Sequence, residues 1–253
     1  MPCTVGQILD LLNGIAPLEL AEEWDNVGLL AGRFDASVER VLCALDLSMH
    51  VIEEAARLNA QLIVTHHPIL FRGRRNLRED DAEGRMLCAL VRSNISLIAM
   101  HTNYDNACPG VNDALADVLD LTDVHALDNG MRIGLTDKGD LRTFAAFARQ
   151  RLGGVIRLYG DPETPVRRVA VLGGAGEDFV TQAMTAEADV YVTGEMAYHK
   201  GTDAAENGLC VLEAGHAATE RPGILALSAA LQKASDDVQY KIRVFDSQAE
   251  LYL

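Results

Sequence analysis

Three short segments of this chain carry histidine and carboxylate side chains at spacings that suit metal binding. The candidate ligands are His66 and His67 in LIVTHHP, His101 and Asp105 in MHTNYDN, and His216 and Glu220 in EAGHAATE. Imidazole and carboxylate groups are ligands that Zn²⁺, Fe²⁺ and Mn²⁺ accept. These six groups exceed the four that one tetrahedral ion needs, and two ions that share a bridging carboxylate would use most of them. The residue types and their number therefore predict a dinuclear metal centre.

Each segment also has a simpler interpretation when it is taken alone. A histidine four residues before a carboxylate often marks a hydrogen-bonded pair on a helix surface, and paired histidines after a strand can simply cap the sheet edge. Four of the seven histidines nevertheless fall in these segments, next to apolar strands, which favours the metal site. We expect His50 and His125 to face solvent, while His199 and Cys108 are weaker candidates for the site.

The composition is that of a globular protein with a marked excess of acidic residues. Of the 253 residues, 49% are hydrophobic, which allows a large and mainly aliphatic core. The chain has 22 Lys+Arg against 37 Asp+Glu, and its formal charge of −15 disfavours binding to the phosphates of nucleic acids. We find neither a signal-peptide pattern nor an apolar run of the roughly 18 residues that span a membrane. We therefore expect a cytoplasmic protein.

Two loops carry residues whose role the sequence leaves open. The basic cluster FRGRRNLR (71–78) could contact an anion, although a solvated loop explains it more simply because EDDAE follows at once. In EEWDNVGLLAG, Trp24 could anchor a loop. The neighbouring Asp25 and Asn26 either contact a substrate or form a turn before a strand.

The sequence contains an internal repeat. The runs RVLCALD, which begins at Arg40, and RVAVLGG, which begins at Arg168, are each followed by an amphipathic helix and a second apolar strand. These two strands end at Thr65 and Thr193, so the offset between the units stays at 128 residues. Short β-branched runs that alternate with helices are typical of parallel βαβ units.

We therefore predict an α/β fold with two similar lobes, residues 1–128 and 129–253, related by internal duplication. The C-terminal segment can pack back on the first lobe. In it, a helix predicted for RPGILALSAALQKAS, which begins at Arg221 and has Pro222 near its first turn, precedes the strand-like KIRVFDSQ. Ligands of open α/β sheets gather beyond the carboxyl ends of the strands. The candidate donors follow such strands in both units, as does Glu195, so we expect a metal cleft between the lobes.

Together these segments resemble the Ngg-interacting-factor-three family. Its members are also described as GTP cyclohydrolase I type 2 homologs or dinuclear metal-centre hexameric proteins. The resemblance rests on EEWDNVGLLAG, VTHHPILFRG, HTNYDNACPGVNDALA, TGEMAYHK and EAGHAATER, which follow one another in this order over nearly the whole chain. The chain is similar to the short members, which lack the domain that longer members insert between the halves.

The resemblance implies a set of metal ligands and an assembly. The ligands of the family fall on His66, His67, Asp105, His216 and Glu220. Glu220 would bridge two divalent ions per chain, and His101 matches a histidine beside the site that orients a ligand or moves protons. The choice between zinc, iron and manganese stays open, because the sequence offers no clear thiolate ligand. The resemblance also implies a toroidal homohexamer whose metal sites face an inner cavity.

Two functions of different classes follow from this set of ligands. The first is a metal-dependent hydrolase, similar to a GTP cyclohydrolase, in which a metal-activated water attacks a nucleotide or another small molecule. In this hydrolase His101 or Glu195 would be the catalytic residue that moves protons. No Walker-type GxxxxGK(S/T) motif is present, so metals and lobe edges would hold a nucleotide. The second function is a metal-handling or regulatory scaffold that holds its ions without turnover.

Overall fold

The computed structural model of the protein describes residues 3–249. Its strands are β1 (Cys3–Thr4), β2 (Gly28–Ala31), β3 (Ser37–Val38), β4 (Arg40–Ala44), β5 (Leu62–Thr65), β6 (Ser96–Ala99), β7 (Thr122–Ala126), β8 (Arg132–Asp140), β9 (Arg157–Tyr159), β10 (Pro165–Leu172), β11 (Val190–Thr193), β12 (Cys210–Glu213) and β13 (Arg243–Asp246). Its α-helices are α1 (Val5–Ile15), α2 (Met49–Arg57), α3 (Ala82–Ser93), α4 (Thr102–Asn106), α5 (Val111–Val118), α6 (Leu141–Leu152), α7 (Val180–Thr185), α8 (Tyr198–Glu206) and α9 (His216–Asp237). Short 3₁₀ helices cover Leu18–Leu20, Asp128–Gly130 and Glu177–Phe179. The alternation of strands and helices confirms the predicted α/β class.

The described residues divide into two compact units. The first unit consists of residues 3–107 and 224–249, and the second consists of residues 108–223. This division differs from the predicted boundary after residue 128, and strand pairing gives the reason. Strand β7 precedes that boundary but pairs antiparallel with β8 of the second unit. Strand β13, near the end of the chain, pairs parallel with β4 of the first unit.

The first unit contains a five-stranded sheet in the order β13-β4-β5-β6-β2. Strands β13, β4, β5 and β6 are parallel, while β2 forms one edge antiparallel to β6. Strand β5 is buried along its whole length, which explains its continuous apolar run. Helices α2 and α3 contribute to one core with these strands, and this core includes Leu42, Ile63, Leu90 and Leu97. Strands β1 and β3 form a separate antiparallel pair.

The second unit contains a six-stranded sheet in the order β7-β8-β10-β11-β12-β9. Its three central strands, β10, β11 and β12, are parallel, and the outer strands pair antiparallel with their neighbours. Alternate residues of β10 enter different cores, because successive side chains point to opposite faces of a sheet. Val169 and Val171 pack in a core with Phe144, whereas Ala170 packs in another core with Tyr191. Both faces of this sheet are therefore covered.

An ion pair between a buried arginine and a half-buried aspartate ties helix α5 to β8 in the second unit. Arg132 is almost fully buried, and its Nε and Nη2 donate to the two carboxylate oxygens of Asp113 at 2.9 and 2.7 Å. Its Nη1 donates to the carbonyl oxygen of Gly130 at 2.7 Å. Such two-pronged contacts satisfy the guanidinium where water cannot.

The parallel strands of the two units share the same register. Val41 lies opposite Leu62 in the first sheet, and Val169 lies opposite Val190 in the second. Each residue of the second pair follows its counterpart by 128 positions, the offset that the sequence repeat shows. An equal register is what an internal duplication would leave, and it supports the duplication that we infer from the sequence.

Helix α9 begins more than one turn before Arg221, the start expected from the sequence. It starts at His216, and Pro222 lies inside it, so the predicted start at Arg221 is wrong. The backbone N–H of Thr219 already donates to the Gly215 carbonyl at 3.1 Å, which starts helical hydrogen bonding before the proline. None of the helices within residues 3–249 combines the length and the apolar character that a membrane-crossing helix needs.

Candidate metal centre

The paired histidines lie directly beyond the carboxyl end of β5. His66 is fully buried, and its Nδ1 donates to the carbonyl oxygen of Met100 at 2.8 Å. Nδ1 of His67 donates to Oδ1 of Asp46, also at 2.8 Å. A hydrogen bond of this kind fixes the ring tautomer and makes Nε2 the ring nitrogen that could bind a metal. Both rings therefore have the arrangement of metal-binding histidines.

His101, which follows β6, joins these two histidines. Its ring centroid lies 5.1 Å from that of His66 and 5.5 Å from that of His67. The three residues can each offer a ring nitrogen such that these atoms all lie within 4.8 Å of one another. The strand ends bring the three together, because β5 and β6 are parallel neighbours and end at the same edge of the sheet. These histidines can hold a metal ion.

The buried carboxylate of Asp25 holds His101 in position. Its Oδ1 accepts a hydrogen bond from Nδ1 of His101 at 2.9 Å, and its Oδ2 accepts from the backbone N–H and the hydroxyl of Thr102 at 3.0 and 2.5 Å. Burial alone would raise the pKa of Asp25. The hydrogen bonds from His101 and Thr102 outweigh burial and hold this pKa well below its ordinary value. The carboxylate therefore stays ionised at neutral pH and favours a protonated Nδ1 on His101.

The carboxylate of Asp105 faces His66, and only the backbone N–H of Asp105 bonds to His101, at 3.0 Å from its carbonyl oxygen. Its Oδ1 lies 3.5 Å from Nε2 of His66. His101 precedes the first residue of α4 and its ring turns to Asp25, so the simpler interpretation, a hydrogen-bonded side-chain pair on one helix, does not hold for His101 and Asp105. Two donors about 2.1 Å from one tetrahedral ion lie about 3.4 Å apart. His66 and Asp105 are therefore spaced as neighbouring ligands of one ion.

In the second unit, helix α9 places His216 and Glu220 one turn apart. Nε2 of His216 lies 3.1 Å from Oε2 of Glu220, and its Nδ1 donates to Oε1 of Glu195 at 2.9 Å. Glu220 is buried, whereas the Glu195 side chain is 58% exposed. Glu195, which we predict as a proton carrier, thus lies against a proposed metal ligand and at the same time in water.

Two glycines provide the space that the His216–Glu220 pair occupies. A Cβ atom on Gly174 would lie 2.2 Å from Oε1 of Glu220 and 3.2 Å from Nε2 of His216. A Cβ atom on Gly194 would lie 2.7 Å from Cα of His216. The Gly174 backbone N–H donates to the hydroxyl of Thr219 at 3.0 Å, which fixes this loop against the first turn of α9. A side chain on either glycine would displace the histidine or the carboxylate.

Sequence reasoning did not assign Asp46 or Gly174, and it left Asp25 undecided. A signal for the first two was nevertheless present. In the repeat, Asp46 aligns with Gly174 directly beyond equivalent strands. One unit thus has a carboxylate that orients a histidine at this position, and the other has a glycine that makes room for a carboxylate.

The remaining histidines and the exposed cysteine are not among the grouped potential metal ligands of residues 3–249. His50 and His125 are exposed, which confirms the expectation that they face solvent. His199 is exposed at the start of α8, where its ring contacts that of Tyr198. Cys108 is an exposed free thiol. No hydrogen bond or ion pair within residues 3–249 joins His199 to the His216–Glu220 pair.

Comparison with known families and curated proteins gives consistent matches. The family model described as Duf34/NIF3 (NGG1p interacting factor 3) matches residues 3–250 of the chain. A relative from Streptomyces coelicolor, named "GTP cyclohydrolase 1 type 2 homolog", is 38% identical over 96% of this chain and 91% of its own length. A relative of the same name from Clostridium perfringens is 33% identical over 93% of this chain and 94% of its own length.

Solved structures show the same fold. A Staphylococcus aureus protein matches with a TM-score of 0.94 and 27% identity, over 100% of this chain and 99% of its own. A Bacillus cereus protein described as related to NIF3 matches with a TM-score of 0.93 and 24% identity, over 98% of this chain and 97% of its own. This second likeness concerns the fold alone.

Proposed function

Because the chain belongs to the Duf34/NIF3 (NGG1p interacting factor 3) family, we propose that it binds two divalent metal ions and acts as a metal-dependent hydrolase similar to a GTP cyclohydrolase. The proposed ligands are His66, His67 and Asp105 in the first unit and His216 and Glu220 in the second. The proposed bridge between the two ions is Glu220. Support comes from the family match and from the geometry within each unit.

The observation that carries this proposal is the hydrogen bond at Nδ1 of each histidine ligand. His66 donates to a backbone carbonyl, His67 donates to Asp46, and His216 donates to Glu195. Metal-binding histidines nearly always make such a bond, because it orients the ring and leaves the ligand role to Nε2. Histidines that served packing alone would have no reason to use the same nitrogen in three different local structures.

The donor set also fits the proposed ions. Imidazole and carboxylate ligands suit zinc, iron and manganese alike. The distances from His66 to Asp105 and from His216 to Glu220, 3.5 and 3.1 Å, match the spacing of neighbouring ligands on one ion. Bound divalent ions would lower the pKa of a water molecule and polarise the bond to be hydrolysed.

Two residues of the chain are suited to move protons. The Nδ1 of His101 is held by Asp25, which stabilises the ring when a proton binds at Nε2. Glu195 contacts His216 and is exposed, so it can exchange protons with bulk water. We therefore propose that His101 accepts the proton that the attacking water releases. Glu195 is proposed as the group that passes protons to solvent.

The name of the curated relatives makes a guanine nucleotide the first substrate to test. The family resemblance further suggests a homohexamer, and the sequence suggests a cytoplasmic protein. We propose both, and size-exclusion chromatography with light scattering would test the assembly.

Metal analysis of variants tests the proposed function. Wild type and the exposed control His125→Ala should contain about two equivalents of metal per chain, and His66→Ala and Glu220→Ala should contain far less while remaining folded by circular dichroism. The hydrolase activity is then measured with GTP, because opening of the guanine ring by hydrolysis reduces its ultraviolet absorbance. Metal binding without hydrolysis of GTP or of a panel of phosphoesters and amides would favour the scaffold instead. Wild type with well under one equivalent, even after reconstitution with zinc, iron and manganese, would overturn the metal centre.

A further inference from the structure

Two large aromatic side chains lie exposed beside the histidines of the first unit. Trp24 is 59% exposed and Phe71 is 45% exposed. Their ring centroids are 5.6 Å apart and their planes meet at 58°, so the two rings form an angle that we call the aromatic corner. Each ring also lies near that of His101, at 6.3 Å for Trp24 and 6.4 Å for Phe71. The aromatic corner is therefore adjacent to the candidate metal centre.

Polar contacts hold the loop that carries the tryptophan. The residue after Trp24 is Asp25, whose side chain is fully buried against His101. Next in the chain, Nδ2 of Asn26 donates to the carbonyl oxygen of Leu70 at 2.6 Å. This bond joins the tryptophan loop to the residue directly before Phe71. The two loops that carry the rings are therefore joined to each other and to His101.

Exposed aromatic rings at this position point to a ligand. The exposed indole and phenyl rings are in contact with water. A bound molecule that covers them removes apolar surface from water, and this burial stabilises the complex. Binding sites characteristically combine such apolar surfaces with a few polar groups that orient the ligand. Here the polar groups are the histidines, and His101 contacts both rings of the aromatic corner.

The charges of the same loop narrow the class of ligand. Arg72 and Arg75 follow Phe71 in the chain, both are exposed, and neither forms an ion pair among residues 3–249. Arg74, by contrast, is paired with Asp81 at 2.7 Å. Two unpaired positive charges disfavour a cationic ligand for the aromatic corner. They favour a ring that carries a negative group such as a phosphate.

We propose that the aromatic corner binds the planar heteroaromatic ring of an anionic molecule whose other end reaches the histidines. The ring would stack on the exposed face of one aromatic side chain and meet the edge of the other. This inference rests on the proposed function, since it names the part of the substrate that the site recognises and the residues that recognise it. It assigns Trp24 and Phe71 to binding, and it gives them no part in proton transfer.

The fluorescence of Trp24 tests this inference directly, because it is the only tryptophan of the chain. Metal-loaded protein would be titrated with GTP and guanosine, and with inorganic triphosphate and ribose 5-phosphate as ligands without a ring. We expect GTP and guanosine to quench the emission with saturation and the ring-free compounds to leave it unchanged. Phe71→Ala should weaken guanosine binding by about 5- to 150-fold, the range for loss of one stacking contact. Phe71→Tyr, which keeps a ring, should bind as wild type does.

Controls separate this inference from the metal centre. Phe34→Ala removes another exposed phenylalanine of the first unit, 61% exposed, and should leave guanosine binding unchanged. Thermal unfolding verifies that each variant folds. If guanosine, adenosine and a pterin all fail to quench the emission of protein with two bound metals, the proposed ring binding is refuted. The proposed metal centre is unaffected by that result. Equal affinity of wild type and Phe71→Ala would also refute the proposed ring binding. Repeating the titration on chelator-treated protein tests ring binding even if the metal proposal fails.

Discussion

Replacement of Gly174 by alanine should weaken metal binding at the His216–Glu220 pair without unfolding the second unit. The added methyl carbon would lie 2.2 Å from Oε1 of Glu220, whereas carbon–oxygen contacts are ordinarily about 3.3 Å or longer. The carboxylate must therefore move by about 1 Å. Metal–ligand distances tolerate deviations of only about 0.2 Å, so this movement takes the carboxylate out of its ligand position.

Alanine at Gly174 also adds backbone strain, which a second variant can measure by itself. Gly174 has a φ of 67°, and a residue with a side chain in this left-handed conformation costs about 1–2 kcal/mol. Gly208, in the same unit, has a φ of 88°, and no atom lies within 4 Å of a Cβ placed on it. Gly208→Ala thus introduces similar strain without the contact to Glu220.

The assay compares metal affinity and unfolding for both glycine variants. We expect Gly174→Ala and Gly208→Ala to lose comparable free energy of unfolding in urea. Only Gly174→Ala should bind metal more weakly, by at least about 10- to 100-fold in competition with a chelator, the loss known for disturbed ligand surroundings. Wild-type metal content and affinity in Gly174→Ala would refute the reasoning, because Glu220 would then bind no metal or would not need its observed position.

Two further predictions concern the residues that support the site and the fold. Asp46→Asn should lower metal affinity by about 10- to 100-fold, because an amide holds the His67 ring less firmly than a carboxylate; Asp123→Asn, beside an exposed histidine, should change nothing in the same chelator competition. Arg132→Met should lower the free energy of unfolding by about 1–3 kcal/mol in urea, because it leaves the half-buried Asp113 carboxylate and the Gly130 carbonyl without their donor. Arg142→Met breaks an exposed ion pair and should lower the free energy of unfolding by only about 0–1 kcal/mol. An equal loss in both variants would contradict this account.

The local pattern of the sequence was enough to place the strands that carry the histidines. Strands β5 and β6 are short apolar runs between polar loops, and both are buried on either face. His66 and His101 follow them at the same sheet edge, as the rule for parallel sheets requires. The register of the repeat was likewise visible, since an offset of 128 residues recurs in the strand pairing.

The partners of these histidines could not be predicted from spacing. Asp25 contacts His101 because the loop before β2 meets the end of β6, and β2 lies at the sheet edge by virtue of strand order. The spacing of His101 and Asp105 suggests a pair, but the pair requires that both belong to one helix, and α4 starts after the histidine. The boundary of the units also depends on a distant contact, because β13 pairs with β4 across nearly the whole chain.

The position of β13 affects the order in which the protein can fold during its synthesis. This strand completes the sheet of the first unit, where the hydroxyl of Ser247 donates to Glu54 of α2 at 2.6 Å and fastens the segment that follows it. The ribosome makes the chain from its N-terminus at about 5–20 residues per second. Residues 108–223 are therefore complete before β13 exists. Until then β4 has an open edge, and an unpaired apolar strand invites association with other chains. The second unit can thus form first, and the nascent β4 edge is where a chaperone would protect the chain.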